Sequence, residues 1–292
     1  MKWKADRGLQ FRMFLTMFLL ATVYIVFIAA LAFYTNGSLL VIAMFFALFS
    51  IAQWYFSDSL TLWSMGAKEV SEDEYPRLHA TVQRLSQQAD IPKPKVAVVD
   101  SRNPNAFATG RSQKHAAVAV TTGIMRTLDE DELEGVLAHE LAHIKNRDVM
   151  VMTVASFLST IALLIVRWGP WLGGGRNRNQ GGVWVAIAVS LVVWIISYLL
   201  IRALSRYREF AADRGGAIIT GKPAALASAL MAIDSEMHRV PTDDFREQAE
   251  MNAFFIIPIS GSMITRLFST HPRTEKRIER LRQLEREMES SR

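Results

Sequence analysis

Four stretches without a charged residue constrain this chain more than any other feature of its sequence. They cover residues 13–34, 39–56, 149–166 and 183–201. Each has 18 to 22 residues, and a helix of about 20 residues spans the roughly 30 Å hydrocarbon core of a bilayer. Buried helices of soluble proteins rarely continue so long without a charge. The pattern therefore predicts four transmembrane helices.

The first stretch follows several basic residues, as the apolar part of a signal peptide would. Its 22 residues exceed the usual length of that part, and the second stretch begins after only residues 35–38. We therefore expect an uncleaved membrane anchor.

Lysine and arginine near the ends of these stretches predict the orientation of the chain. Two stretches separate the polar blocks 57–148 and 202–292, so both blocks must lie on one side of the membrane. Ten basic residues flank the stretches on that side, against three on the other. Such an excess marks the cytoplasmic side, so we expect a multi-pass protein of the cell membrane with both termini and its active site in the cytoplasm. The ten are Lys2, Lys4, Arg7, Arg12, Lys68, Lys145, Arg147, Arg202, Arg206 and Arg208, and the three are Arg167, Arg176 and Arg178.

The polar blocks predict an α+β fold that is mainly α, with four transmembrane helices and a cytoplasmic domain containing a small β-sheet. Asp129-Glu130-Asp131-Glu132 has the pattern of a capping box and predicts the start of a helix that runs to about Asp148. Strands are expected at 95–99, 106–109 and 116–121, and further helices over 72–90, 205–219, 224–238 and from about 272. The expected domains are a tail and membrane hairpin over 1–56, a first protease part over 57–148, a second hairpin over 149–201 and a second protease part over 202–292.

Composition excludes two kinds of site. The chain has no cysteine, so disulfides and thiolate metal sites are impossible. The net charge of +5 is not accompanied by a basic stripe interleaved with aromatic residues, and we expect no nucleic-acid partner.

His139-Glu140-Leu141-Ala142-His143 carries the chemistry. Positions i and i+4 lie one above the other on a helix, so both imidazoles can bind one metal ion. Zinc prefers four ligands in a tetrahedron and lowers the pKa of a bound water to about 7. Glu140 is then placed to take a proton from that water during attack on a peptide carbonyl. A structural histidine pair is the alternative.

A catalytic zinc needs a third protein ligand, and Glu209 is the strongest candidate. It belongs to a predicted helix that begins beside the fourth apolar stretch. Asp213 lies four residues later on the same face and is placed to accept a hydrogen bond from a ligand imidazole. The alternative is that both are exposed acidic residues of an amphipathic helix, and spacing alone does not decide.

The chain resembles the HtpX family of membrane metalloproteases, relatives of the CAAX prenyl endopeptidases, over nearly its whole length. The resemblance rests on three motifs: residues 139–143, Glu209-Phe210-Ala211-Ala212-Asp213, and Asn105-Ala106-Phe107-Ala108-Thr109-Gly110. It implies that His139, His143 and Glu209 bind one zinc ion, that Glu140 is the general base, and that Asp213 supports a ligand. It also implies that residues 105–109 form an edge strand that binds substrate.

Thr270-His271-Pro272 matches a late motif of the same family and is followed by Arg277. A histidine near zinc would donate a hydrogen bond to the oxyanion of the tetrahedral intermediate. The alternative for His271 is a helix-capping turn, since Pro272 suits a first helical position.

The residues alone predict zinc-dependent peptide hydrolysis at the cytoplasmic membrane surface. The resemblance adds quality control of membrane proteins under stress, with the bilayer and protein or peptide substrates as partners. An intramembrane protease would also use a histidine pair around a glutamate, but the acidic residues 129–134 argue against burial in lipid. A CAAX-type protease and a non-catalytic membrane scaffold with a structural zinc remain alternatives.

Overall fold

The computed structural model describes residues 7–35, 39–152, 180–237 and 272–290, together with residues 155, 159, 162 and 166. The chain divides into two compact units, each discontinuous in sequence. One consists of Arg7–Tyr55 and Met150–Ser205, and the other includes Phe56–Val149 and Arg206–Arg292. Two helices, α2 (Leu39–Ser64) and α6 (Gln180–Thr220), contribute residues to both units.

The first unit is helical and apolar. It contains α1 (Arg7–Thr35), parts of α2 and α6, and described helical residues from 150 onward. Two described segments, Gly8–Ala29 and Ile187–Thr220, are long and apolar enough to cross a membrane. Only 22% and 28% of their most apolar windows is buried, unlike a core helix, whose whole circumference is covered. The predicted stretch 39–56 lies within α2, whereas most of 149–166 lies outside the described residues.

The second unit is built on a four-stranded mixed sheet with the strand order β1-β2-β4-β3. Strands β2 (Lys95–Val99) and β4 (Ala116–Thr121) are parallel, while β1 (Lys68–Glu69) and β3 (Ala106–Gly110) pair with them antiparallel. The three predicted strands are present. β1 was not expected, because two charged residues carry no hydrophobic alternation.

Both faces of the sheet are covered, which is why every residue of β4 is buried. On one face Val118 packs into the main core with Val82 of α3 (Pro76–Ala89) and Leu141 of α5 (Glu130–Lys145). On the other face Phe107 and Ala119 pack with the end of α2. A short helix, α4 (Thr122–Thr127), follows β4 directly and is capped by the side chain of Thr121.

The predicted capping box at the start of α5 is present. The backbone amide of Glu132 donates to the Asp129 carboxylate at 2.8 Å, and the Asp129 amide donates to the Glu132 carboxylate at 3.1 Å. The expected end of this helix at Asp148 is wrong. α5 ends at Lys145, because Arg147 adopts a left-handed backbone conformation with a φ of 57° and redirects the chain.

Two helices complete the second unit. α7 (Pro223–Met237) packs against α5, and α8 (Thr274–Ser290) packs against α7. Leu281 and Leu284 of α8 are buried, as the helical spacing of apolar residues in this segment predicts.

Candidate metal centre

Two histidines on α5 and one glutamate on α6 bring three possible ligand groups together. The Nε2 atoms of His139 and His143 are 3.1 Å apart. Oxygens of the Glu209 carboxylate lie 3.5 Å from Nε2 of His143 and 3.6 Å from Nε2 of His139. Ligand atoms about 2.0–2.1 Å from a tetrahedral zinc lie roughly 3.3 Å from each other, so this spacing fits one zinc ion. Among the described residues, this is the one group with such an arrangement.

A carboxylate contacts the Nδ1 atom of each histidine. Asp213 lies 3.0 Å from Nδ1 of His139, and Asp148 lies 2.6 Å from Nδ1 of His143. A carboxylate on Nδ1 favours a proton at that nitrogen, which leaves the lone pair of Nε2 for a metal. Both Nε2 atoms therefore face the same point.

Each of these carboxylates also forms an ion pair with an arginine. Nε and Nη2 of Arg277 donate to the two oxygens of Asp213 at 2.9 and 2.7 Å, a bidentate pairing. Nε of Arg208 lies 3.1 Å from Asp148. Arg277 comes from α8 and is 1% exposed, and its Nη1 also lies 3.5 Å from Glu209. The two histidines are thus oriented by separate rows of an arginine and a carboxylate.

The net formal charge of the groups around the histidines is negative enough to favour a divalent cation. The three carboxylates described above and Glu140 carry four negative charges, and the two arginines carry two positive ones. A dication would balance this formal charge of −2. Burial lowers the pKa of His139, but its contacts with Asp213 and Glu209 outweigh burial and raise that pKa to about 9. A positive charge at this point is therefore favoured, and a metal must displace the proton.

Glu140 lies between the histidines in sequence and is 5% exposed. Burial raises the pKa of its carboxyl group, while the neighbouring histidines and a hydrogen bond from the backbone of Ala108 lower it by less. A carboxylate with a raised pKa accepts a proton more readily than a solvated one. The contact with Ala108 also brings β3 next to this carboxylate.

β3 forms an edge of the sheet, next to β4. The backbone amide of Thr121 donates to the carbonyl of Asn105 at 2.9 Å, which fixes the alternation along this antiparallel pair. By this register the backbone groups of Phe107 and Thr109 point toward β4, and those of Ala106 and Ala108 point away from it. Of these outward-pointing peptide groups, that of Ala108 lies next to Glu140.

The motifs and the fold agree with comparisons to known proteins. The family model of peptidase family M48 matches residues 72–285. This chain belongs to peptidase family M48. Within the family it is 57% identical to Protease HtpX homolog 2 of Methanosarcina mazei over 98% of this chain and 99% of the relative. It is 55% identical to Protease HtpX homolog of Moorella thermoacetica over 99% and 98%.

A solved structure shares the fold of this M48 peptidase. The crystal structure of S. mikatae Ste24p matches it with a TM-score of 0.56 at 16% sequence identity. The match covers 94% of this chain and 66% of that one. The resemblance to the HtpX family is confirmed, and the chain is a metalloprotease of the HtpX type, a hydrolase.

The other histidines of this M48 peptidase contribute nothing to the centre within the described ranges. Nε2 of His79 lies 3.1 Å from the carbonyl oxygen of Val70, and the exposed His115 contacts Ser112. His271, expected to act on the oxyanion, lies outside the described residues, as does His238.

Sequence reasoning missed three residues that the structure brings to the centre: Asp148, Arg208 and Arg277. From the sequence, Asp148 is expected only to end a helix. The turn at Arg147 returns it to His143, and the sequence gives no local signal for that turn. Arg277 only follows the motif around His271, in a segment predicted as a helix whose apolar residues form one narrow stripe. An arginine between Lys276 and Ile278, next to that stripe, was the available hint.

Proposed function

We propose that this chain is a zinc-dependent endopeptidase of the cell membrane that cleaves misfolded membrane proteins at the cytoplasmic face. The observation that carries the proposal is the set of three ligand atoms 3.1–3.6 Å apart with a buried carboxylate beside them. His139, His143 and Glu209 would hold one zinc ion per chain. Zinc in such a site supplies Lewis acidity and activates water at neutral pH.

Glu140 acts as the general base. Its carboxylate takes the proton of the attacking water and then delivers it to the leaving amine, a role supported by its burial next to the proposed ligands. Asp213 and Asp148 keep their histidines in the tautomer that leaves Nε2 for the metal. His271 is the proposed donor to the oxyanion.

Residues 105–109 bind the substrate as an additional strand. The peptide groups of Ala106 and Ala108 point away from β4 and pair with the backbone of an extended peptide, for which the Ala108 amide exchanges its contact with Glu140. Backbone hydrogen bonds ignore side-chain identity, so this mode accepts many unfolded segments. It supports a role in quality control rather than the removal of one defined sequence.

Membrane anchoring is supported by the two described helices of sufficient length and apolarity. The excess of basic residues beside the polar blocks supports the cytoplasmic orientation. We retain four spans, 13–34, 39–56, 149–166 and 183–201, as part of the proposal.

Two variants test the division of labour at the zinc. Glu140→Gln keeps the shape of the side chain and removes the base, so casein cleavage should fall by about 10²–10⁴ while zinc stays bound. Glu209→Ala removes a ligand, so both zinc and cleavage should be lost. Zinc content and cleavage are measured on the full chain in detergent, with and without chelator.

The same experiment distinguishes the alternatives. Full cleavage by Glu140→Gln would exclude this glutamate as the base. A wild-type protein that holds zinc but cleaves neither casein nor an unfolded membrane protein would favour a scaffold with a structural zinc. Full zinc in Glu209→Ala would mean that the third ligand lies elsewhere.

A further inference from the structure

Two consecutive glycines, Gly215 and Gly216, lie inside α6, only a few residues after Glu209 and Asp213. Glycine destabilises a helix interior relative to alanine, because it loses more backbone entropy on folding. The helix nevertheless continues to Thr220. We therefore expect that close packing against a neighbouring element requires glycine at this place.

The surroundings of Gly216 supply that reason. A Cβ atom at this position would lie 2.9 Å from the backbone nitrogen of His139 and 3.1 Å from its Cα. It would also lie 3.2 Å from the carbonyl carbon of Ala138. All three neighbours are backbone atoms of α5, so no side chain can rotate to make space. α6 therefore approaches the backbone of His139 most closely at a residue that has no side chain.

Gly216 shares a helix face with the acidic residues of the centre. Glu209, Asp213 and Gly216 stand at i, i+4 and i+7, which is one side of two helical turns. Asp213 lies 3.0 Å and Glu209 3.6 Å from nitrogens of His139. The distance between α5 and α6 at Gly216 therefore affects the distances from both carboxylates to His139.

We propose that Gly216 is a positioning residue for the metal centre, because its missing side chain sets the distance between the helix of Glu209 and the helix of His139. A side chain here would force the helices apart by about 0.5 Å before the Cβ reached an ordinary contact distance of 3.4 Å. Metal–ligand distances tolerate only about 0.2 Å. The inference rests on the proposed zinc centre and adds a determinant that contacts neither metal nor substrate.

Gly135 offers a matched control. It lies in α5, and a Cβ there would be 3.1 Å from the backbone nitrogen and Cα of Leu226 in α7. Alanine at Gly135 would therefore press α5 against α7, which carries no ligand, and not against α6, which carries Glu209. Both variants replace a helical glycine by alanine and create a clash with backbone, but only Gly216→Ala separates a ligand from its partners.

The test compares both variants with the wild-type full chain in detergent. Zinc affinity is measured by competition with a chromogenic chelator, and the Co²⁺-loaded protein is examined by visible absorption. The melting temperature is recorded without metal and with zinc. We expect Gly216→Ala to bind zinc at least roughly 10-fold more weakly, as changes behind a ligand do, with an altered Co²⁺ spectrum. Gly135→Ala should keep the wild-type affinity and spectrum while its metal-free melting temperature falls by a similar amount.

Several outcomes would overturn the proposal. They are wild-type zinc affinity in Gly216→Ala, an equal loss of affinity in both variants, or a Gly216→Ala protein that fails to fold where Gly135→Ala folds. The last result would show that the contact supports the helix pair rather than the ligand spacing. A wild-type protein that binds no zinc would instead contradict the proposed function, so the two failures are distinguishable.

Discussion

At the scale of single residues, the proposed metal centre has buried charge pairs behind its candidate ligands. Arg277 is 1% exposed and Asp213 is 3% exposed, so neither is solvated by bulk water. Removing one partner of a buried pair leaves the other uncompensated, which typically costs about 3–5 kcal/mol. We expect such pairs to matter more here than the exposed ion pairs elsewhere on this unit.

Asp148 gives a prediction at this scale. Asp148→Asn removes the charge that holds His143 and Arg208 but keeps the size of the side chain. Zinc affinity or activity should fall by about 10–100-fold, because the imidazole loses its charged partner. Asp58→Asn is the control, since Asp58 pairs with Arg111 at 3.0 Å and touches neither histidine. Equal effects of the two substitutions on zinc affinity would rule out a specific role for Asp148.

Sequence reasoning reached the residues whose signal is local. His139 and His143 lie about one helical turn apart, so their spacing allows both imidazoles to bind one ion, with Glu140 next to the first of them. Glu209 could be assigned only through the family resemblance. It is 66 residues beyond His143, and the intervening sequence does not predict that the two residues are close in space. Asp148 and Arg277 were out of reach, because a left-handed turn and the docking of α8 bring them in.

At the scale of helices and strands, two features near the centre matter most: the capping box that begins α5 and the edge strand β3. The start of α5 could be predicted because a capping box depends on only four consecutive residues. β1 and α4 were not, since one has two residues and the other six. Elements this short are fixed by their neighbours in the fold rather than by their own periodicity.

The capping box should stabilise the unit without taking part in catalysis. Asp129→Ala removes the side chain that accepts from the Glu132 amide and should cost about 0.5–2 kcal/mol. The melting temperature should fall by a few degrees, while cleavage at low temperature stays near wild type. Glu130→Gln is the control, because its pair with Arg77 is about 90% exposed on both sides and contributes little. A loss of activity without a loss of stability would contradict this assignment.

The edge strand gives a second prediction at this scale. The amide of Ala108 points away from β4 and contacts Glu140. Proline at this position removes that amide but spares the ladder, since edge strands tolerate proline. Ala108→Pro should therefore reduce peptide turnover while zinc content stays near wild type. Ala108→Val keeps the amide and serves as control, and undiminished turnover by the folded proline variant would refute strand pairing.

At the scale of the whole molecule, the two compact units interleave along the sequence. Phe56–Val149 and Arg206–Arg292 belong to one unit, and the segments Arg7–Tyr55 and Met150–Ser205 to the other. The long uncharged stretches of the sequence identify the apolar helices of the latter unit. Hydropathy by itself does not say that the two polar segments form one unit. The ligand set supplies that information, because His143 and Glu209 must meet.

The proposed topology is tested at this scale. A reporter fused after Arg292 should be cytoplasmic, and one inserted at Gly174 should lie outside, because basic residues concentrate beside the polar blocks. In intact cells, an external protease should remove the tag at Gly174 and spare the tag after Arg292. External cleavage of the C-terminal tag would reverse the orientation and move the centre to the other compartment.

The origin of the ligands on both sides of an apolar segment has a consequence for biosynthesis. A nascent chain that has emerged only as far as Val166 carries both histidines but not the glutamate that completes the set. With the proposed ligands, the site would be complete only after the second apolar hairpin has been translated and α8 has brought Arg277 to Asp213. On this proposal, a chain that is still being inserted would lack a complete ligand set and so could not yet cleave its own unfinished segments.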